Sequence, residues 1–524
     1  MTLVDIPHHP TLLLLIPIIF VAIKTLTAYA RLRHVPGPFL AKLTNIPRFS
    51  WVRSYRAHDI HVDLHRKYGP IVRFGPNMVA VADPAEIGRI YGFGKGATWR
   101  KSDFYRALLM KPTGKPVPGI FATQDENIHK ALKKPISGAY SMSTLVSFEP
   151  YVDATMRVFC EQLHKRFVAH PTQMSDSTNT DPVGPVCDFG QWLQFFAFDV
   201  IGQLTFSKRL GFLETGEDVD KVMARLWGMF KQTSLASQMP WLDPLWTNNP
   251  LKRWMRGKGT SPGAAFAMDR IAERRALMGD SGKNDWGVKE RDFLSRFLEV
   301  EAKEDGGVPP YAVGVWASSN ITAGSDTTAI LLRTIFYNLL QHAHTMEKLV
   351  AELDEAAAKG ELSELASWKQ TRELPYLAAC ITEAGRLHPP FGLPYERVVP
   401  PEGATVCGTF LPGGTVVGMS AWATHRDKRL FGEDCDDWVP ERWLRCSAEH
   451  RRRMENGLLT FGAGHRSCLG KHIAYLETYK VVPTLLRKYK FELANHAQCG
   501  RWTVENRWFV MQHGFQVRLS ERSS

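Results

Sequence analysis

The sequence predicts a mainly α-helical protein with small β-sheets, and three observations point to this fold class. Long segments of the 524-residue chain carry apolar residues at helical spacing, whereas the strand-like runs are short. A glycine-rich stretch near the C-terminus holds one cysteine and leads directly into a predicted helix. Length alone suggests roughly three or four domains. Because neither a repeat nor a linker is evident after residue 40, a single large unit is also an open interpretation.

Composition and charge bound the class of protein. With 44% hydrophobic and 23% charged residues, the chain has ample material for a core. The net charge of +12 suits an anionic partner or membrane surface, or serves only solubility. None of the eight cysteines lies in a Cys-x-x-Cys pair or at zinc spacing, so those outside the glycine-rich stretch are predicted to be free thiols in a reducing compartment.

The segment over residues 11–30 is predicted to be a transmembrane anchor. It is uncharged from Leu12 to Ile23, and a span needs about 20 mostly apolar residues. Ala28-Tyr29-Ala30 fits a signal-peptidase site, but basic residues follow the segment instead of preceding it, which favours an uncleaved anchor and a cytosolic remainder. The predicted organisation is a lumenal stub over 1–10, the anchor over 11–30, a basic, proline-rich hinge over 31–40 and a catalytic domain over 41–524.

The glycine-rich stretch reads Phe-Gly-Ala-Gly-His-Arg-Ser-Cys-Leu-Gly and runs from Phe461 to Gly470. Glycine lets the backbone approach a flat cofactor closely, and free N–H groups can then point at the sulfur of Cys468. The fork of Arg466 suits a carboxylate. A turn that happens to bury a cysteine is the simpler alternative, but the fixed offsets of Phe461, Gly462, Gly464, Arg466, Cys468 and Gly470 favour a haem-thiolate site.

This stretch resembles the haem-binding loop of the cytochromes P450, Phe-Gly-x-Gly-x-Arg-x-Cys-x-Gly, with no position missing. The resemblance implies the cytochrome P450 haem-thiolate fold and a haem b whose iron is axially bound by Cys468. It also implies that Arg466 binds a haem propionate and that Phe461, Gly462 and Gly470 shape the loop around the cofactor.

Two further segments are expected to hold the propionates. A predicted helix over residues 126–139 carries His129 and Lys133 four positions apart, on one face. The family usually has Trp and Arg at this spacing; His and Lys can also donate hydrogen bonds, but Lys lacks the bidentate fork. Arg397, in Leu-Pro-Tyr-Glu-Arg, matches the family arginine that reaches a propionate.

A long predicted helix, from Pro310 to about His344, carries Ala-Gly-Ser-Asp-Thr-Thr at Ala323–Thr328. A Gly-Ser pair beside threonines suggests a local opening of the helix, or a kink relieved by side-chain hydroxyl bonds to the backbone. The segment resembles the acid–alcohol motif of the oxygen-activating members. That resemblance implies that Asp326 and Thr327 deliver protons.

A structural triad is expected from Glu383, Arg386 and Arg442. The first two lie at i,i+3 on a helix that is predicted to begin near Pro375, and the third lies in Pro-Glu-Arg-Trp. A surface ion pair is the simpler interpretation, whereas the family pattern implies a buried triad.

The predicted function is a monooxygenase that oxidises an apolar small molecule, with NADPH electrons delivered by a separate reductase, since no flavin or dinucleotide fingerprint is present. NADPH–cytochrome P450 reductase, cytochrome b5 and the endoplasmic reticulum membrane are the expected partners, with no nucleic acid. The alternatives are a haem-thiolate isomerase or dehydratase and a non-catalytic haem carrier. The segments around Pro36–Tyr68, His129–Ser141 and Ala323–Thr328 resemble those of fungal secondary-metabolite members related to pisatin demethylase. Substrate contacts are expected in residues 92–121 and 187–275. The expected reductase surface comprises Lys130, Lys133, Lys134, Lys471 and Arg451–Arg453.

Overall fold

The computed structural model describes residues 10–92, 99–109, 116–168, 185–242, 249, 262–281, 291–303, 308–494 and 502–522. The longer helices are α1 (Pro10–Arg31), α2 (Ile46–Arg53), α3 (Ala57–Tyr68), α4 (Glu126–Lys133), α5 (Glu149–Phe167), α6 (Phe189–Phe206), α7 (Val222–Ala236), α8 (Pro262–Ser281), α9 (Phe293–Ala302), α10 (Ala312–Gln341), α11 (Ala343–Ala358), α12 (Pro375–Leu387), α13 (Ala448–Asn456) and α14 (Lys471–Lys488). Short α-helices span Phe39–Leu43, Ile87–Tyr91, Met142–Leu145, Phe212–Thr215, Trp368–Thr371, Ala421–Thr424 and Lys428–Phe431. Short 3₁₀ helices span Pro84–Glu86, Asp103–Leu108, Lys134–Tyr140, Val146–Phe148, Val219–Lys221, Pro240–Leu242, Pro440–Trp443 and Gly464–Arg466.

The strands form small separate sheets. They are β1 (Ile71–Gly75), β2 (Met78–Val81), β3 (Cys187–Asp188), β4 (Tyr395–Val398), β5 (Ala404–Val406), β6 (Thr409–Leu411), β7 (Val416–Met419), β8 (Tyr489–Leu493), β9 (Thr503–Asn506), β10 (Val510–His513) and β11 (Gln516–Glu521). The largest sheet has the order β1-β2-β7-β4, and only its β2–β7 pair is parallel. The others have the orders β3-β11-β8, β9-β10 and β5-β6. The predicted fold class, mainly α with small β-sheets, is therefore confirmed.

Helix α10 runs through the core. It begins after Pro309-Pro310, and its buried residues lie on all sides because α6, α8, α9, α12 and α14 pack around it. The helix remains continuous through Ala323–Thr328, and the hydroxyls of Ser325, Thr327 and Thr328 donate to the carbonyl four residues earlier. The predicted opening is thus replaced by back-bonding within an intact helix.

The N-terminal segment corrects one prediction. Residues 10–31 do form a helix, but in the described part of the chain no helix is long and apolar enough to cross a membrane. Lys24 and the polar residues after it shorten the apolar run, and α1 ends against the folded unit, where Arg73 donates to the carbonyls of Ala28 and Tyr29. The prediction of a single-pass anchor in the endoplasmic reticulum membrane is therefore wrong. The stub predicted over residues 1–10 lies almost wholly outside the described residues.

Most other elements agree with the sequence. The strands Ile71–Gly75 and Met78–Val81 and the helix Lys471–Lys488 lie where the patterns place them. The helix predicted over 126–139 ends at Lys133 and continues as a 3₁₀ helix, because Pro135 cannot supply the N–H that an α-helix needs. Cys435 and Cys446 are free thiols.

Candidate active site

The loop from Phe461 to Gly470 depends on glycine at two positions. Gly462 and Gly464 have φ values of 64° and 65°, in the left-handed region that residues with a Cβ rarely adopt. A Cβ at Gly464 would lie 1.7 Å from the carbonyl oxygen of Tyr91. The short helix Ile87–Tyr91 therefore packs directly against the loop, and any larger residue at position 464 would force the two apart.

Cys468 lies at the end of this loop, immediately before α14. Its N–H donates to the carbonyl of Phe461 at 2.8 Å, which closes the loop. Burial raises the pKa of the thiol, while the backbone N–H groups of Gly470 and Lys471 and the ammonium of Lys133 lower it. The side chain nevertheless has accessible surface. The thiol is therefore accessible, and the donors around it would stabilise a thiolate.

Helix α4 contacts the loop through the predicted pair of residues. The ammonium of Lys133 donates to the carbonyls of His465 and Ser467, at 2.7 and 3.2 Å. His129 is buried, and burial together with Arg466 and Lys133 lowers its pKa to about 3, so the ring is neutral. Lys133 thus fixes the backbone on either side of Arg466, and its ammonium is not part of the exposed basic surface predicted for a reductase.

Arg466 is held by an acid that the sequence did not single out. Glu126, in the first turn of α4, pairs with the guanidinium of Arg466 at 2.8 Å and with Nε2 of His465 at 2.9 Å. Arg466 also donates to the carbonyl of Ile120 at 3.3 Å. The carboxylate therefore joins α4 to the cysteine loop and orients the arginine.

Arg397 and Lys101 lie together in the structure. Arg397 is 4% exposed, is paired with Lys101 through an isolated β-bridge, and has its guanidinium 5.0 Å from the centre of the Tyr91 ring. Lys101 is 3% exposed; its ammonium donates to the carbonyl of Phe121 and lies about 4 Å from the rings of Tyr105 and Phe121.

Lys101 is a site residue that the sequence analysis missed. Burial, Arg397 and Arg466 lower its pKa well below the usual range, against the opposing effect of Glu126. The signal in the sequence was the run Trp99-Arg100-Lys101, inside a loop that was interpreted only as a substrate cover. Residues 93–98 and 110–115 of that loop lie outside the described residues.

The residues present fit a dianionic, flat cofactor. Lys101, Arg397 and Arg466 are basic residues whose side chains are almost fully buried, and among the described residues Glu126 is the acid that pairs within this group. A buried cation is costly unless an anion compensates it. Two propionates would supply that compensation beside a cysteine with backbone donors around its sulfur, so the donor set and the charge balance both suit haem.

The predicted triad is present and buried. Glu383 and Arg386 are both 0% exposed and form a bidentate pair at 2.7 and 2.8 Å. Arg442 reaches the same carboxylate at 3.0 Å, and the indole of Trp443 donates to it at 2.9 Å. Arg386 further donates to three backbone carbonyls, those of His425, Cys435 and Asp437. The surface-pair interpretation is thereby replaced by a saturated internal network.

This network supports the residues just before the cysteine loop. The hydroxyl of Thr460 donates to the carbonyl of Gly385 at 2.7 Å, and the ring of His425 links the carbonyl of Arg386 to the N–H of Leu459. Burial lowers the pKa of His425 to about 3, as required for a ring nitrogen that accepts a hydrogen bond. The triad therefore positions the start of the loop through His425 and α12.

Asp326 and Thr327 do not point the same way. Thr327 is partly exposed and lies one turn beyond the exposed Ala323, in the middle of the core helix. Accessible space therefore adjoins this face of α10, and we call the space beside Ala323 and Thr327 the cavity. Asp326 is 2% exposed and accepts a hydrogen bond from Gln194 of α6 at 2.6 Å. The structure thus places only the hydroxyl on the cavity face and buries the acid behind it.

Comparisons with known proteins give the class. The family model described as Cytochrome P450 matches residues 36–513. The chain therefore belongs to the cytochrome P450 family, whose members bind haem through a cysteine thiolate, and it is a cytochrome P450 monooxygenase. The isomerase, dehydratase and carrier alternatives receive no support.

Particular relatives are fungal. A cytochrome P450 monooxygenase of Aspergillus terreus is 68% identical over 481 residues, which cover 92% of this chain and 94% of that protein. Cytochrome P450 monooxygenase cicH of Emericella nidulans is 50% identical and covers 94% of each chain. Cytochrome P450 monooxygenase pkfB of the same species is 44% identical over 99% of this chain and 98% of its own length. The predicted resemblance to fungal members is thus confirmed.

Proposed function

We propose that this monooxygenase inserts one oxygen atom of O₂ into an apolar small molecule of fungal secondary metabolism, such as a terpenoid, polyketide or alkaloid-like compound. The observation that carries the proposal is Cys468, which is accessible at the end of the glycine-rich loop and has backbone N–H donors beside its sulfur and buried cations nearby. Apolar surface on Phe121 and Ala323 supports an apolar substrate.

In this proposal the chain holds haem b at two places. The thiolate of Cys468 would bind the iron, and the N–H groups of Gly470 and Lys471 would stabilise its negative charge. Lys101, Arg397 and Arg466 bind the propionates with His129 as a neutral donor, while Lys133 fixes the loop backbone. When bound through a thiolate, such a haem supplies O–O bond cleavage, which electron density from the sulfur favours.

The proposed proton delivery uses both members of the acid–alcohol pair. The Oγ1 of Thr327 holds a proton at the cavity face, where it now donates to the Ala323 carbonyl, and it would turn this donor toward the cavity during the reaction. The Asp326 carboxyl resupplies it from behind.

Electrons are proposed to come from NADPH through cytochrome P450 reductase, with cytochrome b5 as a second donor. Lys130 and Lys134 are exposed at the end of α4, which itself contacts the cysteine loop, so an acidic flavoprotein could bind there. Lys471, at the start of α14, and Arg451–Arg453, in α13, are further basic residues proposed for this surface.

The test is spectroscopic and chemical. The dithionite-reduced protein with carbon monoxide should show the red-shifted Soret band of thiolate-bound haem, and NADPH consumption with a reductase should accompany a product heavier by one oxygen. Cys468→Ser should lose both the band and the product, because a hydroxyl is a far weaker donor than a thiolate. Cys446→Ser, at a free cysteine away from the loop, is the matched control. A normal band in Cys468→Ser would refute the assignment.

A further inference from the structure

The acid of the proposed proton relay is held by a neutral amide. Nε2 of Gln194 donates to Oδ1 of Asp326 at 2.6 Å, and Gln194 is itself 5% exposed on α6. In the part of the chain that the structure describes, no cation pairs directly with this carboxylate. A fully buried aspartate is usually paired with a partner that compensates its charge.

A cation does lie one step further along. Nη2 of Arg333 donates to the carbonyl oxygen of Gln194 at 2.7 Å, and its Nε donates to the carbonyl of Gly190 at 2.8 Å. Because the amide donates to Asp326 and accepts from Arg333, only one of its two orientations satisfies both bonds. The amide therefore separates the two charges by its own length and keeps the carboxylate in a fixed position.

Burial and this separation together set the proton affinity of Asp326. Burial raises the pKa of Asp326 to about 6, while the bond from Gln194 and the charge of Arg333 lower it. A direct Asp–Arg pair would lower such a pKa by about one to three units, and the carboxyl would then remain ionised at neutral pH. With the amide between them, the acid can gain and lose a proton near neutrality.

The other charged groups act more weakly. Asp218, which precedes α7, raises the pKa of Asp326, and Asp188 at the start of α6 stabilises the charge of Arg333. His388 and His513 also lie within electrostatic range of Arg333, and burial lowers the pKa of both rings. No other group supplies a hydrogen bond to the Asp326 carboxylate among the described residues. Gln194 is thus the direct control on its proton.

We propose that Gln194 and Arg333 are positioning residues that hold Asp326 away from the cavity as a reversible proton reservoir for Thr327. This inference rests on the proposed role of Asp326. The two residues would act only through Asp326 and would touch neither substrate nor haem. They would set the pH range over which NADPH oxidation remains coupled to product.

The experiment compares Gln194→Glu with Gln191→Glu in the holoprotein. Both changes add one negative charge to α6, but Gln191 is exposed and one turn earlier. A second carboxylate beside Asp326 should raise its pKa, because like charges in one site disfavour ionisation. An acid donates only when protonated, so the alkaline limit of coupling, measured as product per NADPH, should move up by about one pH unit in Gln194→Glu. Gln191→Glu should not move it.

Gln194→Met provides a second variant of similar size that lacks the donor. Loss of the amide donor should also move the alkaline limit of coupling to higher pH, while the carbon monoxide spectrum stays normal. A purely structural role would change haem content or the Michaelis constant instead of the pH limit. If both Gln194 variants keep the wild-type pH profile while Asp326→Asn is uncoupled, the inference about Gln194 is overturned but the proposed relay is not. Unchanged coupling in Asp326→Asn would overturn the proposed relay as well.

Discussion

The cysteine loop and the Ala323–Thr328 segment of α10 carry the two sequence motifs of the site, yet they behave differently in the structure. In the loop, Gly464, Arg466 and Cys468 are each fixed by a backbone contact or a side-chain partner, and all three lie in one compact region. In the helix, Asp326 and Thr327 are neighbours in sequence but diverge in space, one toward α6 and one toward the cavity.

The difference follows from backbone geometry. In a glycine-rich turn the chain folds back on itself, so residues several positions apart can converge. In a helix each residue is rotated by about 100° from the last, so adjacent side chains cannot share a face. A loop motif can therefore supply all the residues of a binding site. A helical motif supplies only those on one face, and the partners of the other residues come from a neighbouring helix.

The largest expected effect breaks the support of the loop. In Glu383→Ala the guanidinium groups of Arg386 and Arg442 remain buried without their shared carboxylate, a loss of about 3–5 kcal/mol. Because this network also positions Leu459 and Thr460, we expect no haem incorporation, and the same for Arg386→Ala. Haem content per protein measures the effect. Glu373→Ala, which removes an exposed ion pair with Arg372, should incorporate haem normally; a fully loaded Glu383→Ala protein would contradict the prediction.

A smaller effect tests whether buried cations near the loop compensate the charge of the cofactor. Lys101→Met removes a buried cation, so haem should dissociate about 10- to 100-fold faster, the size of one charge-assisted hydrogen bond. The apoprotein should unfold no more easily, because burying this charge is unfavourable without an anion. Haem transfer to apomyoglobin and denaturant titration measure the two quantities. Lys67→Met at an exposed site is the control. Unchanged haem transfer would remove Lys101 from the site.

The smallest effect tests the helical motif. Thr327→Ala should bind haem and carbon monoxide normally but lower product per NADPH by about tenfold, the order expected for one lost hydrogen bond. Thr328→Ala removes the same group from a buried position one residue later, where the hydroxyl donates only to the Gly324 carbonyl. Equal coupling in the two variants would show that orientation toward the cavity does not matter.

The fold and the loop could be predicted because their determinants are local. Phe461–Gly470 holds its own turn geometry, and the buried Glu383–Arg386 pair is set by helical spacing. Gln194 could not be predicted, because its role depends on how α6 packs against α10, more than 100 residues away in sequence. The burial of Lys101 could not be predicted for the same reason. A lysine in a loop is ordinarily solvated, and the contact with Arg397 that buries Lys101 appears only in the structure.

The N-terminal segment was misjudged from its composition. Its apolar residues suggested a span, although the polar second half of α1 already limited the run. The composition shows that the segment is hydrophobic, but it does not show that the end of α1 contacts the folded unit.

That attachment has a practical consequence for shortened forms of the protein. Arg73 is fully buried and donates to carbonyls of Ala28, Tyr29, Lys42 and Pro76. Residues 28 and 29 thus serve as hydrogen-bond acceptors for a core arginine. Removing the chain up to about residue 24 would preserve these acceptors, whereas removing it up to Val35 would leave donors of Arg73 unmatched inside the protein. The latest position at which a shortened chain can begin is therefore set by an arginine that lies 45 positions beyond Ala28.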